Sequence, residues 1–243
     1  MMKKLIINAD DFGYCKGVNY GIIEAHTDGI LTSTTMMANM PRFDHAVELH
    51  RQHPNLGIGV HLNLTTGSPV LNHLKTIVDT EGNFRNQAYY KGSFIIDQTE
   101  VYDEWKAQIE KILAAGIQPT HLDAHHHANL FGEFNEIYFK LADEYNLPIR
   151  NNFNNQDPTR RTTDGFVYTM ETALQSEDTL NELFEMHDSV EIMCHPAFLD
   201  KFLLASSSYT YPRTEELDLL THPTTKELFR SQSLFELATF KQL

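Results

Sequence analysis

Cysteine is scarce in this chain, with Cys15 and Cys194 as the two examples among 243 residues. A small secreted protein stapled by disulfides would carry more, so we expect two free thiols in a reducing compartment. Basic residues are also few, with 19 Lys and Arg against 33 Asp and Glu and a formal net charge of -14. Binding to nucleic acid and to anionic membranes depends on Lys and Arg, so this balance argues against both partners.

Long apolar runs are missing as well. The short run after Lys3 and Lys4 ends in two carboxylates, too early for a signal peptide or a membrane span. No low-complexity segment, obvious repeat or Pro- and Gly-rich linker interrupts the chain. Hydrophobic residues make up 41% of it, enough for a sizeable core. We therefore expect a single soluble, cytoplasmic domain over residues 1–243.

What the sequence does contain is an alternation of short β-type runs with helical periodicity. The runs predict strands near residues 5–9, 31–37, 56–64, 119–125, 147–151 and 190–194. The segments between them predict helices near residues 18–26, 43–53, 99–115, 134–145 and 178–186. This alternation predicts an α/β protein with a parallel sheet, either closed as a barrel or doubly wound. No G-x-G-x-x-G follows the first strand, so a dinucleotide site is not supported.

Three longer stretches interrupt this rhythm, and they cover residues 65–98, 152–170 and 197–213. Long loops in a compact domain are usually lids or binding loops. We expect loop insertions near these residues, with a plain surface decoration as the alternative.

Polar side chains follow the predicted strands at their carboxyl ends. They are Asp10, Asp11, His61, the run from His121 to His127, Arg150 and His195. In α/β barrels and open α/β sheets the active site lies at that end of the strands. Each motif alone is weak, since a lone Asp pair is usually a solvated turn and a lone His is usually structural. Their convergence from separate segments is the strongest functional signal in the sequence.

The run HLDAHHH is the most informative of these motifs. Because side chains alternate along a strand, His121, Asp123, His125 and His127 are expected to share one face. Three imidazoles and a carboxylate are costly to bury without partners, and a divalent metal is a suitable partner. A surface histidine cluster is the alternative. On this reasoning His127 competes with His125 as a ligand, while the adjacent carboxylates at the end of the first strand can divide the roles of ligand and base.

Taken together, the motifs resemble the YdjC-like carbohydrate deacetylases, the family that includes chitooligosaccharide deacetylases. The matching motifs are NADDFG (8–13), GVHLNLT (59–65), THLDAHHH (120–127), PIR (148–150) and CHP (194–196). A further fragment, SSSYTYPRTEEL (206–217), is similar to the C-terminal segment of the family. The resemblance implies a distorted (β/α) barrel of about seven parallel strands. One departure is Ala128-Asn129, where the family pattern has Val-His.

The resemblance also implies roles for the residues at the strand ends. The implied metal ligands are Asp11, His61 and His125. The implied catalytic residues are Asp10 as base, His195 as acid and Arg150 as the residue that positions the base. The implied supporting or substrate-contacting residues are Asp123, His127 and His121. The family is described with magnesium, whereas two imidazoles and one carboxylate also suit zinc, cobalt, nickel or iron. A homodimer is a further implication.

The predicted function is a metal-dependent hydrolase that removes N-acetyl groups from N-acetylglucosamine-containing oligosaccharides such as diacetylchitobiose and releases acetate. The metal hydrolase follows from the residues, and the acetylated sugar follows from the resemblance. A metal-dependent amidohydrolase on a non-sugar amide would share the chemistry and differ in the loops. A glycosidase with paired carboxylates would leave the imidazoles without a role. A non-catalytic sugar-binding module would use loop aromatics such as Tyr89 and Tyr90 and would not need a free base.

Overall fold

Aliphatic and β-branched runs form the strands of one sheet in the computed structural model, which describes residues 2–153, 159–173, 177–231 and 233–243. The strands within these residues are β1 (Lys3–Phe12), β2 (Ser33–Met36), β3 (Gly57–Leu62), β4 (Leu122–Ala124), β5 (Gly165–Val167), β6 (Ser189–Cys194) and β7 (Phe235–Leu237). The helices are α1 (Lys16–Thr27), α2 (Phe43–Gln52), α3 (Gln98–Ala114), α4 (Phe134–Tyr145), α5 (Met170–Ala173), α6 (Glu177–Met186), α7 (Lys201–Ser206), α8 (Tyr211–Thr221) and α9 (Pro223–Ser231). None of the helices described is long and apolar enough to cross a bilayer.

The strands lie in the order β4-β3-β2-β1-β6-β5, and β7 pairs with the first residues of β1. Every pairing between these strands is parallel, as expected for strands joined by helical crossovers. The sheet curls into a partly open barrel in a single α/β domain. The prediction of a distorted (β/α) barrel of about seven parallel strands is therefore confirmed.

Two predicted strands differ from the structure. The strand predicted near residues 119–125 is reduced to the three residues of β4, because the backbone turns away after Ala124. The stretch 147–151 makes only a single bridge, from Ile149 to Leu122. Pro148 lacks the N–H that a longer ladder would use.

The three predicted insertions contain regular structure. Residues 65–98 include a short 3-10 helix at Gln87–Lys91. Residues 152–170 include β5, and residues 154–158 of that stretch lie outside the described residues. Residues 197–213 include α7 and the first turn of α8.

The amino-terminal end of the barrel is filled by apolar side chains. Ile6, Ala238 and Phe240 form a small buried cluster there. The ring of His121 stacks on Phe240 with centroids 3.7 Å apart. A Cβ on Gly59 would lie 2.4 Å from Cε1 of His121, so only glycine fits beside this ring. With this end closed, the polar side chains of the barrel gather at the carboxyl ends of the strands.

The long insertion 65–98 is fastened to α3 by two carboxylates one helical turn apart. Glu104 accepts hydrogen bonds from the backbone N–H groups of Val70 and Leu71, at 2.8 and 2.9 Å. Glu100 accepts from the N–H groups of Lys75 and Thr76, at 2.9 and 2.7 Å. Residues at i and i+4 share one face of a helix, so α3 presents both acceptors to the same insertion.

Candidate active site

The end of β1 delivers two adjacent carboxylates to one site. In a regular strand, successive side chains point to opposite faces. Asp11 lies where the pairing of β1 with β2 becomes irregular, and its φ of +75° is a left-handed conformation that is unusual for a residue other than glycine. Both side chains are buried, and both line the same cavity as a result of this turn.

One of these carboxylates, Asp11, meets two imidazole rings, those of His61 and His125, so that three atoms of the kind that bind metals lie close together. Oδ1 of Asp11 lies 3.3 Å from Nε2 of His61 and 2.9 Å from Nδ1 of His125. The two ring nitrogens are 3.3 Å apart. Oδ1 is buried and has no hydrogen-bond partner of proper geometry among the described residues. An orphaned carboxylate oxygen facing two imidazole nitrogens is an arrangement that a divalent cation would satisfy, so these residues fit a metal.

The ring of His61 is oriented by the neighbouring strand. His61 on β3 is the register partner of Asp123 on β4, and Nδ1 lies 2.7 Å from Oδ1 of Asp123. Thr35 donates to the other oxygen of Asp123 at 2.9 Å. A carboxylate on Nδ1 leaves Nε2 free to bind a metal. Burial would lower the pKa of His61, but Asp123 and Asp10 outweigh it and raise the pKa to about 10, so a cation would displace a proton here.

A second group, Asp10 with His61 and Asp123, also brings its ligand atoms within 4.8 Å of one another. Both of its carboxylates are already bound by Arg150, however. Arg150 lies 2.9 Å from Asp123 through Nη1 and 2.6 Å from Asp10 through Nη2. A cation there would compete with a fixed guanidinium, so the group containing Asp11 fits a metal better.

Arg150 is fully buried and ties together carboxylates from three strands. Nη1 and Nη2 donate to the two oxygens of Asp10 at 2.8 and 2.6 Å, and Nε donates to Glu191 at 2.8 Å. Burial alone would raise the pKa of Asp10. The charges of Arg150 and His61 outweigh burial and hold that pKa well below its usual range. Asp10 is therefore ionised at neutral pH.

His195 follows β6, and its ring lies beside Asp10 in the cavity lining. Its Nε2 lies 3.8 Å from Oδ2 of Asp10. Its backbone N–H donates to Glu216, and its ring packs edge-on against Tyr209 with centroids 5.5 Å apart. Burial lowers the pKa of His195 to about 4 despite the nearby Asp10, so the ring is neutral at pH 7.

The HHH run does not follow the alternation expected from a strand. Because β4 ends at Ala124, the prediction that His121, Asp123, His125 and His127 share one strand face is wrong. His126 and His127 both have φ of +53°, which turns both side chains toward the cavity. His121 instead lies below, against the apolar end of the barrel.

His127 is held by a pair of amides that includes the departure from the family pattern. Nδ1 of His127 lies 2.9 Å from the amide nitrogen of Asn152. Asn152 and Asn129 exchange two hydrogen bonds, at 2.9 and 3.2 Å. Asn129, which stands where the family pattern has His, is buried and hydrogen-bonded to Asn152, which in turn contacts the ring of His127.

The cavity above these residues has a volume of about 380 Å³. Besides the strand-end residues, its lining includes Tyr14, Thr66, Gln87, Ser206, Ser207, Ser208, Tyr209 and Arg213. Sequence reasoning gave no role to Arg213 or Glu216. The signal that could have found them is the fragment 206–217, which contains both and carries part of the resemblance.

Known proteins resemble this chain over nearly its whole length. The model of the YdjC-like protein family matches residues 4–231. The chain belongs to this family. It is 43% identical to a carbohydrate deacetylase of Brevibacillus brevis in an alignment that covers 99% of each chain. It is 41% identical to a carbohydrate deacetylase of Clostridium beijerinckii, over 99% of this chain and 100% of the other.

A solved structure from Enterococcus faecalis V583 superimposes with a TM-score of 0.88 at 36% identity, covering 100% of this chain and 99% of the other. That protein is described as a candidate cellobiose-phosphate cleavage protein. The YdjC-like membership that the motifs predict is thus confirmed along the whole chain.

Proposed function

We propose that this YdjC-like protein is a metal-dependent carbohydrate deacetylase. Its substrates would be N-acetylglucosamine-containing oligosaccharides such as diacetylchitobiose, and one product would be acetate. The observation that carries the proposal is a single cavity lined by the metal-binding group Asp11, His61 and His125, by the ionised Asp10 and by the neutral His195. Full-length relatives that are 43% and 41% identical and are named carbohydrate deacetylases support the substrate class.

The metal would be held by Asp11, His61 and His125. When bound, a divalent ion would polarise the acetamide carbonyl and lower the pKa of a water molecule. Two imidazole nitrogens favour zinc or a similar transition metal over magnesium, which prefers oxygen ligands.

The proton path then uses residues of the chain alone. Asp10, ionised and held at both oxygens by Arg150, takes a proton from the water that attacks the acetamide carbon. The proton passes to Nε2 of His195, 3.8 Å from Oδ2 of Asp10. Because the ring of His195 is neutral at rest, it can receive this proton and deliver it to the departing amine nitrogen. The C–N bond breaks, and acetate and a free amino sugar remain.

The geometry supports a deacetylase over a glycosidase. A glycosidase needs two carboxyl groups on either side of a sugar linkage. Asp123, the partner that Asp10 would need, is buried and bound by Thr35 and Arg150. It therefore has no access to a sugar. The homodimer implied by the family resemblance stays a prediction.

Acetate release from diacetylchitobiose by metal-loaded protein tests the proposal. We expect D10N to retain stoichiometric metal and to lose about 10²- to 10⁴-fold in rate, the usual contribution of a general base. We expect H125A to lose the metal. H73A alters an exposed histidine away from the cavity and serves as the matched control.

Full activity in D10N would remove Asp10 as the base, and stoichiometric metal in H125A would remove His125 as a ligand. Absence of acetate from the unmodified protein, across zinc, cobalt and magnesium and a panel of N-acetylated sugars, would overturn the proposed function.

A further inference from the structure

We propose that Arg213 is a positioning residue that holds Asp11 so that it binds the metal as a monodentate ligand, through one carboxylate oxygen. The inference rests on the proposed metal centre and assigns a role to a residue outside the strand-end motifs. It also gives α8, whose first turn lies at the end of the third insertion, a direct connection to that centre.

The two oxygens of Asp11 have different partners. Oδ2 lies 2.6 Å from Nη2 of Arg213, and Oδ1 faces His61 and His125. The side chains of Asp11 and Arg213 are both almost completely buried. A cation between Oδ1 and the two imidazoles would meet only one oxygen of this carboxylate, because the guanidinium occupies the other.

Asp11 also needs a partner that fixes its conformation. A left-handed backbone costs a residue other than glycine about 1–2 kcal/mol and persists when its surroundings determine it. Arg213 supplies a charge-assisted hydrogen bond from one side, and the ring nitrogens lie on the other. The carboxylate is thus fixed before any ion arrives.

Arg213 is itself firmly placed. It lies in the first turn of α8, its Nε donates to the carbonyl of Tyr209 at 2.9 Å, and its guanidinium lies 5.6 Å from the Tyr209 ring centroid. Glu216, three residues further on the same helix face, accepts from the backbone N–H of His195 and from the Tyr209 hydroxyl. One helix therefore contacts both the proposed metal ligand and the proposed acid.

Arg213 has two opposing effects on metal affinity, and substitutions separate them. The positive charge of Arg213 disfavours a cation nearby, whereas its hydrogen bond orients a ligand. We expect orientation to dominate, because loss of a residue that orients a metal ligand typically weakens metal affinity about 10- to 100-fold. R213M should show this loss. R213K should show a smaller one, because lysine keeps the charge but not the planar guanidinium.

The experiment is a Co²⁺ titration of metal-free protein in competition with a chromophoric chelator, with the visible Co²⁺ spectrum recorded at saturation. In R213M we expect weaker binding and a less intense spectrum, because a freed Asp11 can bind through both oxygens and raise the coordination number. R85M is the matched control. Arg85 also donates from Nε to a carbonyl, that of Thr76 at 2.9 Å, and lies 4.4 Å from the ring centroid of Tyr89.

Wild-type affinity and spectrum in folded R213M would overturn the inference, and so would tighter binding, which would show that only the charge matters. If R213M does not fold, as judged by circular dichroism, wild-type affinity and spectrum in R213K would overturn it. Acetate release is not part of this readout. A chain whose Co²⁺ affinity falls in R213M but that releases no acetate would contradict only the proposed function.

Discussion

Two arginine–carboxylate pairs stand side by side in this site, and they belong to different regions. The inner pair, Arg150 with Asp10, lies within the barrel among side chains from β1, β4 and β6. The outer pair, Arg213 with Asp11, joins the end of β1 to α8 and lines the cavity. The same chemical contact thus serves two purposes. Arg150 neutralises three carboxylates that the fold has buried, Asp10 among them, whereas Arg213 holds a single carboxylate at the wall of the cavity.

The largest expected effect follows from removing the inner guanidinium. R150M would leave Asp10, Asp123 and Glu191 buried without their shared partner, and breaking a buried ion pair typically costs about 3–5 kcal/mol. Urea unfolding measures this loss. R51M, which removes an exposed arginine 3.5 Å from Glu48, should change stability by less than about 1 kcal/mol. If both variants lose the same free energy of unfolding, the inner region is not a stabilising network.

A second test uses pH to probe the same region. Burial raises the pKa of Glu191 from 4.5 to about 7 against the opposing charge of Arg150. Between pH 4.5 and pH 7 the folded chain binds a proton at Glu191 more readily than the unfolded chain does. Protonation therefore favours folding, and the free energy of unfolding falls as pH rises through this window. Glutamine keeps an oxygen for Nε of Arg150 and does not ionise. The free energy of unfolding of E191Q should therefore exceed that of wild type by on the order of 1–3 kcal/mol at pH 8 and match it at pH 4.5.

Urea unfolding of both proteins between pH 4.5 and 8 gives this difference directly. A constant difference across the range would contradict the assignment, because a purely steric effect of the substitution does not change with pH.

The smallest expected effect concerns a hydrogen bond of the outer region. Tyr209 donates from its hydroxyl to Glu216 at 2.6 Å, and Glu216 in turn holds the backbone of His195. Y209F should cost about 0.5–1.5 kcal/mol, the usual net worth of one hydrogen bond. If that energy orients His195, acetate release should fall by about 2- to 10-fold. Y211F, at a mostly exposed tyrosine in the same segment, is the control and should show neither change.

Equal loss of activity in Y209F and Y211F would mean that the hydroxyl of Tyr209 plays no specific part in placing His195. Loss of stability without loss of activity would give this contact a purely structural role.

The inner region is also the one that sequence reasoning reached. Asp10 and Arg150 end predicted stretches, and parallel strands bring such ends together whatever the loops do. The outer region was less accessible. Arg213 acts on a residue 202 positions earlier, and neither its helix nor the left-handed turn at Asp11 has a periodic signal. The turn at His126 and His127 was missed for the same reason, because alternation was extended beyond the end of β4.

The attachment of the first insertion to α3 has a practical consequence for engineering. Glu100 and Glu104 bind four backbone N–H groups between Val70 and Thr76, so the insertion and the start of the helix form one structural unit. A chimera that exchanges residues 65–98 alone would separate the donors from their acceptors. Exchange of the insertion together with the first two turns of α3 would keep these donors and acceptors together, provided that the buried Val101 and Trp105 of those turns are retained.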